Sequence, residues 1–292
     1  MDRLHFKKLA IVGVGLIGGS VAARLKRAGR VDRVIGVGRS RGNIARALEL
    51  GVIDEAAEDP ALAARQADLV LIAVPVQQTI RVLERLKGAA RAGTVITDAG
   101  STKRDFVAAV REVVGAPAPN IVPAHPVAGA EHTGVQAASA ELFEGKRVVI
   151  TPLPENRAEA VELVESMWRA CGARITRMTP EHHDEVFSAV SHLPHVVAYA
   201  LVHMIAARDG AEELFSFAAS GFRDFTRIAS SSPEMWRDIC IANRDAIAAD
   251  LEAFQGALGE VAALIRAGDG EALARVFEAA RNAREAWLRK TP

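Results

Sequence analysis

The stretch Lys8-Leu9-Ala10-Ile11-Val12 runs directly into Gly13-Val14-Gly15-Leu16-Ile17-Gly18, and residues 20–28 then follow a helical pattern that Gly29 ends. An apolar strand, a G-x-G-x-x-G turn and a helix in this order constrain the fold more than any other feature of the chain. The first glycine permits the tight turn, the second lets the backbone approach a pyrophosphate, and the third lets helix and strand pack closely. The helix start offers unpaired N–H groups to an anion. Gly13, Gly15, Leu16, Ile17 and Gly18 are therefore candidate dinucleotide contacts. Arg3, Lys7 and Lys8 ahead of the apolar stretch imitate a signal peptide, but glycines thread that stretch and a buried strand describes it better. Export is not expected, and a cytoplasmic location is.

Short apolar runs at 33–37, 69–74, 94–97, 120–124, 147–151 and 173–178 alternate with helical patterns. Such alternation implies an α/β fold whose N-terminal part is a Rossmann-type doubly wound, mainly parallel sheet. The run from Leu69 to Val74 is continuously apolar, as in a central strand covered on both faces, and Val74 and Pro75 at its exit join the candidate cofactor contacts. Beyond Met178 the character changes. Thr179-Pro180-Glu181 and Ser232-Pro233-Glu234 both read as helix starts, with a hydroxyl N-cap and proline in the first turn. Nearly everything after Thr179 is helical in pattern, with a break at Gly268-Asp269-Gly270. The expected organisation is a dinucleotide-binding domain at 1–178 followed by an all-α C-terminal domain at 179–292. Val186, Val190, Leu193, Val197, Leu201 and Met204 recur at helical spacing and predict an apolar core stripe.

Composition narrows the function classes. The 292 residues hold 36 Lys+Arg and 36 Asp+Glu, so the formal net charge is zero and the basic footprint of a duplex nucleic-acid binder is missing. No apolar run in the sequence reaches the roughly 18 to 20 residues of a membrane span. The 2 cysteines, Cys171 and Cys240, form no CxxC and read as buried thiols in a reducing compartment. His182, His183, Asp184 and Glu185 are metal-ligand types, but no second ligand set accompanies them, and no metal is expected.

The second strand ends in Val37-Gly38-Arg39-Ser40-Arg41, where an NAD-specific site usually places an acidic residue for the adenosine ribose. No carboxylate stands there to repel a 2′-phosphate, and Arg39, Ser40 and Arg41 can receive one. NADP is expected in preference to NAD, with NAD possible; the alternative is that both arginines are solvated turn residues.

Ligands in such folds sit outside the carboxyl ends of the strands. Two polar segments fall there, Asp98-Ala99-Gly100-Ser101-Thr102-Lys103 and His125-Pro126-Val127-Ala128-Gly129-Ala130-Glu131. In the first long helix Asp184, Ser188, His192, His195 and Tyr199 line a stripe opposite the apolar one, which is a solvated face unless it lines a site. Pro194 should kink that helix. Farther on, Arg223 and Arg227 lie four residues apart, suited to clamp a carboxylate if helical, although Asp224 can instead pair with Arg227.

GVGLIGGS near the start, DAGSTK at 98–103, HPVAGAE at 125–131, SHLPH at 191–195, GFRDFTRIA at 221–229 and MW at 235–236 closely resemble the prephenate/arogenate dehydrogenase family of tyrosine biosynthesis. The resemblance spans residues 8 to about 240. It implies a dinucleotide-binding domain, a helical domain that dimerises, and oxidative decarboxylation of prephenate or arogenate between them. By that resemblance His125 is the catalytic base, and Ser101 holds hydroxyl and nicotinamide in register. Glu131 is an acidic residue near the site entrance. His195 and His192 line the substrate pocket, Arg227 binds a substrate carboxylate, and Asp224 and Trp236 support them, with Arg223 nearby. Some family members carry a regulatory ACT domain or a fused chorismate mutase; the helical pattern leaves no room for either, so tyrosine inhibition would act at the active site.

Two other readings stay open. One is a dehydrogenase of the same build such as a β-hydroxyacid dehydrogenase, which generally needs a lysine in the helical part, and none occurs between Lys146 and Lys290. The other is a non-catalytic dinucleotide sensor. A neutral chain that binds dianionic substrate and NADP must concentrate positive charge locally, and Arg39, Arg41, Lys103, Arg223 and Arg227 are the expected places.

Overall fold

The computed structural model describes residues 4–129 and 133–290, so Glu131 lies outside the described residues. The chain divides into two compact units, 1–244 and 245–292, each taken by itself below.

In the first unit, strands β1 (Phe6–Val12), β2 (Val31–Val37), β3 (Glu55–Ala56), β4 (Leu69–Ile72), β5 (Val95–Asp98) and β6 (Ile121–Val122) form one parallel sheet in the order β3-β2-β1-β4-β5-β6. Helices α1 (Leu16–Arg27), α2 (Arg41–Glu49), α3 (Pro60–Ala64), α4 (Thr79–Leu86) and α5 (Arg104–Val113) supply the crossovers. Side chains alternate along β1: Leu9 and Ile11 face one core with Val21, Leu25 and Trp168, while Ala10 and Val12 face another with Leu83, Phe106 and Val110. This is the expected doubly wound sheet, and β4 is central, between β1 and β5. The strand order reverses between β1 and β4, where such folds open a ligand crevice.

The sequence predicts one strand at 120–124, whereas the structure makes two. Pro123 stands between β6 and β7 (Ala124–Pro126), and without an N–H it breaks the ladder. β7 joins a second sheet, antiparallel to β8 (Arg147–Ile150), which pairs in parallel with β9 (Arg174–Arg177). Helix α6 (Ala158–Ala170) spans from β8 to β9, with Trp168 and Met167 fully buried. His125 is thereby held in a short strand rather than a loop, opposite Val149.

Helix α7 (Pro180–Phe187) starts as expected, with the Thr179 hydroxyl accepting from the His182 N–H. A π-helical turn at Ser188–His192 then leads into α8 (Leu193–Ala206). The kink expected from Pro194 takes this form, since proline cannot donate to the preceding turn and the wider π turn absorbs the mismatch. The side-chain pattern departs from the predicted core stripe, of which Val186, Leu193, Val197 and Leu201 are only half-buried. Asp184, Ser188 and His192 are buried, while Val190 is 69% and Met204 48% exposed. The polar stripe packs on the sheet-bearing part of the unit, through α5 and β7, and the apolar stripe is left partly uncovered. The stretch Pro180–Ala206 is also long enough, and apolar enough over part of its length, to cross a membrane by length and composition alone, although polar residues are interleaved along it.

Helices α9 (Ala211–Ser216), α10 (Ser220–Thr226) and α11 (Pro233–Ala242) complete this unit, Ser232 capping α11 through the Met235 N–H. Cys171 is buried and Cys240 partly so, both as free thiols. The second unit consists of α12 (Arg244–Ala267) and α13 (Gly270–Lys290), with the break at 268–270 as expected and Asp269 capping α13 through the Ala272 N–H. Its apolar side chains are largely uncovered: Leu258, Ile265, Phe277 and Trp287 are 52%, 61%, 55% and 59% exposed.

Gly18 is fixed by contact, since a Cβ there would lie 2.3 Å from the Gly13 carbonyl oxygen and 2.6 Å from Ile11. Gly18→Ala is expected to cost about 1 to 3 kcal/mol by overpacking, read as a melting temperature lowered by several degrees. An unchanged melt would contradict this packing.

Candidate active site

At the carboxyl ends of β1 and β4, the Gly13 N–H donates to Val37 O (2.8 Å) and the Ala73 N–H to Val12 O (2.7 Å). Gly13 takes φ +101°, and a Cβ on it would lie 2.2 Å from the Ala73 carbonyl oxygen. Gly15, by contrast, has no atom within 4 Å of its would-be Cβ. The three glycines thus make a turn, an open face and a close helix contact, and α1 begins at Leu16 with no acidic residue in its first turn. That cradle fits a dinucleotide pyrophosphate. Ile17 lies in the same first turn, and half-buried Val74 and exposed Pro75 form the facing edge after β4.

Arg39, Ser40 and Arg41 are all exposed at the end of β2. Ser40 has a structural task that the sequence reading did not give it: its hydroxyl caps α2 by accepting from the Asn43 N–H at 3.2 Å. Arg39 reaches Gln78, whose amide oxygen accepts from both guanidinium nitrogens at 2.9 and 3.3 Å. Gln78 was not foreseen, because only the fold brings the turns after β2 and β4 together.

Asp98, at the end of β5, binds the next loop and the next sheet at once. One oxygen accepts from the Ala124 N–H (2.9 Å); the other accepts from the Gly100 N–H (2.8 Å) and from Lys103 Nζ, which also donates to Ala124 O (2.7 Å). Lys103 is fully buried. Its charge is consumed inside the protein, which corrects the expectation that it meets an anionic ligand. Half-buried Ser101 sits in the loop that this pair holds.

His125 follows immediately in β7. Its Nδ1 lies 2.8 Å from His183 Nε2, and His183 Nδ1 lies 2.7 Å from Asp184 Oδ1. Asp184 also accepts from the Lys103 N–H (2.8 Å) and the Arg104 N–H (2.9 Å), at the N-cap and first residue of α5. The Phe187 ring stacks on His183 and tilts against His125. Burial depresses the His125 pKa well below the ordinary imidazole value, with His183, Lys103 and His192 adding to the effect. Burial also lowers that of His183, against the opposing pull of Asp184. For Asp184 burial acts upward, but the hydrogen bonds from His183, Arg104 and Lys103 outweigh it and hold the carboxylate ionised.

His192 and His195 meet the same space from the π turn and α8. The Asn243 amide donates to Asp184 O (2.8 Å) and to His192 Nδ1 (3.2 Å). Neutral His192 therefore carries its proton on Nε2 and presents a donor. His195 Nδ1 donates to Ser191 O (2.8 Å), leaving its Nε2 as an acceptor when neutral. Trp236 stacks on His195, with ring centres 3.7 Å apart at 20°, and meets His192 edge-on. Burial lowers the His195 pKa, and the Arg227 charge lowers it further, which places that guanidinium within electrostatic reach. Arg227 opens a 3₁₀ turn after α10, so Arg223 and Asp224 belong to α10 while Arg227 lies just past its end. All three are exposed. The fold thus gathers His125, His192, His195, Trp236 and Arg227, and adds His183, which the sequence offers only as a metal-ligand type, and Asn243, which spacing alone does not single out. Among the described residues no group of three His, Cys, Asp or Glu side chains forms a metal cage.

Residues 21–177 match the family described as prephenate dehydrogenase, nucleotide-binding domain, and residues 179–279 the one described as prephenate dehydrogenase, dimerization domain. The chain belongs to the prephenate dehydrogenase family. It is 38% identical to the prephenate dehydrogenase of Bacillus subtilis (strain 168), over 95% of this chain and 75% of that protein. It is 37% identical to the cyclohexadienyl dehydrogenase of Zymomonas mobilis, over 96% of this chain and 95% of that one. Among solved structures, prephenate dehydrogenase from A. aeolicus in complex with hydroxyphenyl propionate and NAD+ superposes with a TM-score of 0.91 at 34% identity, covering 98% and 99% of the two chains. Arogenate dehydrogenase from Synechocystis superposes at 0.80 with 28% identity, covering 96% and 99%. Membership makes the chain an NAD(P)-dependent oxidoreductase, in keeping with the glycine cradle.

His192 titrates near 4 in the fold, chiefly through burial, against 6.5 when unperturbed. Between those values the unfolded chain binds more protons than the native one, so stability falls as pH drops through that window, by on the order of 3 kcal/mol from this group. Thermal melts from pH 7.5 to 4 are expected to decline less steeply for His192→Gln than for the parent; equal slopes would contradict the assignment.

Proposed function

We propose that this enzyme oxidatively decarboxylates prephenate to 4-hydroxyphenylpyruvate, with NADP preferred over NAD. The observation that carries the reading is a buried, neutral His125 beside the dinucleotide crevice, backed by His183 and Asp184. When bound, the nicotinamide accepts the hydride that leaves C4 of the substrate ring. His125 Nε2 takes the proton of the 4-hydroxyl as that carbon becomes a carbonyl, and a base of this kind contributes about 10² to 10⁴-fold. The ring carboxylate then leaves as CO2; its bonding pair completes the aromatic ring, the carbonyl π pair returns to the oxygen, and that oxygen takes the proton back from His125 to give the phenol of the product.

Ser101 holds the hydroxyl near the cofactor. Neutral His192 donates from Nε2 into the substrate space, His195 flanks it on Trp236, and Arg227 receives a substrate carboxylate, with Arg223 and Asp224 beside it. Glu131 near the entrance is carried by family resemblance alone. Arogenate, which has an amino group where prephenate has a keto group, is the second substrate reading, favoured by the cyclohexadienyl and arogenate dehydrogenases among the similar proteins. The meeting of the two family matches between residues 177 and 179 supports a domain boundary at Thr179. The name of the second match and the outward apolar faces of α8, α12 and α13 support a homodimer built through the helical domain. The reducing cytosol suits the free thiols.

The test is NAD(P)H formation at 340 nm with prephenate and with arogenate. His125→Asn is expected to lower kcat at least 100-fold with little change in KM, whereas Arg227→Ala raises KM chiefly, because that contact is present in both ground and transition states. Wild-type kcat in the first variant would refute the base assignment. For the cofactor, Arg39→Ala is expected to raise the KM for NADP about 10-fold and leave NAD nearly unaffected, since one guanidinium–phosphate contact is lost. Comparable kcat/KM for the two cofactors in the parent would remove the argument for NADP.

A further inference from the structure

His183 is fully buried and meets His125 at Nδ1, not at the Nε2 assigned to the substrate, so it touches no reacting atom in the proposed chemistry. Its hydrogen bonds give it a task. Asp184 is ionised and its oxygens already accept two backbone N–H groups, so it can only accept from His183 as well. His183 must therefore carry its proton on Nδ1 and present a bare Nε2 to His125. A bare Nε2 accepts, so the His125 proton sits on Nδ1 and the lone pair on Nε2. We propose that the His183–Asp184 pair is a positioning device that locks His125 in the one neutral tautomer able to act as base, an inference that rests on the reaction proposed above.

The rest of the surroundings serve the same end. Asp184 is immobilised by the start of α5, and the Phe187 ring stacked on His183 at 4.5 Å leaves that imidazole no room to turn. The charged and titratable groups around His183 are Asp184 on its own helix, Lys103 and Asp98 from the β5 side, and His125 from β7. His192 in the π turn also faces it, and Asp105 in α5 lies within electrostatic reach of Asp184 and Lys103. When His125 Nε2 takes the hydroxyl proton, the new positive charge stays on His125. Its Nδ1–H then points at His183 Nε2, which Asp184 makes electron-rich through the Nδ1 hydrogen bond. The logic is that of a carboxylate orienting a catalytic imidazole, with a second imidazole inserted between them.

The direct test is nitrogen NMR on histidine-labelled protein, with the His125 signals assigned through His125→Asn. In the unmutated enzyme at pH 7.5, His125 should show a protonated Nδ1 and an unprotonated Nε2, and His183 the same pattern. In His183→Phe the His125 tautomers should mix, and kcat with prephenate should fall about 10- to 100-fold while KM stays within about two-fold. His183→Gln should recover most of kcat, because its amide oxygen can accept from His125 Nδ1 in place of the imidazole. A proton on His125 Nε2 in the unmutated enzyme, or full kcat in a folded His183→Phe, would overturn the proposal. If the unmutated enzyme turned over neither prephenate nor arogenate, the functional reading would fall, and the tautomer measurement would still decide this one.

Discussion

The Asp184 carboxylate is the junction on which the rest of the site depends. It takes the N–H of Lys103, the N-cap of α5, and that of Arg104, its first residue, where no side chain of the N-terminus itself caps the helix, and the Nδ1 proton of His183. One buried charge therefore joins the helical segment to the crossover helix after β5 and reaches His125 through a single imidazole. Orphan amides at a helix start favour an anion, so satisfying them stabilises α5 while it holds Asp184 ionised. Fold stability and the protonation state of the site are set by the same contacts.

A second buried pair does the same for the backbone. Asp98 and Lys103 tie the end of β5, the loop carrying Ser101, and the amide and carbonyl of Ala124 into one unit, one residue before His125. Truncating either partner would strand a charge in the core, at a cost of about 3 to 5 kcal/mol. Stability is spent here on position. The short strand β7 can hold an imidazole still because the pair on one side and the His183 contact on the other fix it from two directions.

How much of this could be read from the chain follows the range of the interactions. The strand–glycine–helix unit, the Thr179 and Ser232 caps and the break at 268–270 are local, and residues within five positions of one another specify them. The split at Pro123 into two sheets was missed because a proline inside an apolar run reads as punctuation, and nothing nearby says that the chain changes sheets. Of the two stripes of the 180–206 helix, the polar one is buried as a site-lining face would be, and the apolar one is not the core stripe that its periodicity predicts. Periodicity finds faces, but in a chain with a candidate dimer surface the apolar face can look outward while Asp184, Ser188 and His192 turn in toward the site. His183 was weighed only as a metal-ligand type. Its partner His125 lies 58 residues away, and the amides that hold its other partner, Asp184, lie 80 and 81 residues from that carboxylate, so only the fold brings them together.

The family places the chain among enzymes that remove a hydride and a carboxylate from one ring, and the proposed tautomer leaves His125 Nε2 to receive the proton. A crystal structure with oxidised cofactor and a non-reactive prephenate analogue tests this most directly. The 4-hydroxyl oxygen is expected about 2.6 to 3.2 Å from His125 Nε2, with the Nδ1 contact to His183 retained. A hydroxyl facing away from His125, with that nitrogen turned to solvent or to another group, would contradict the account.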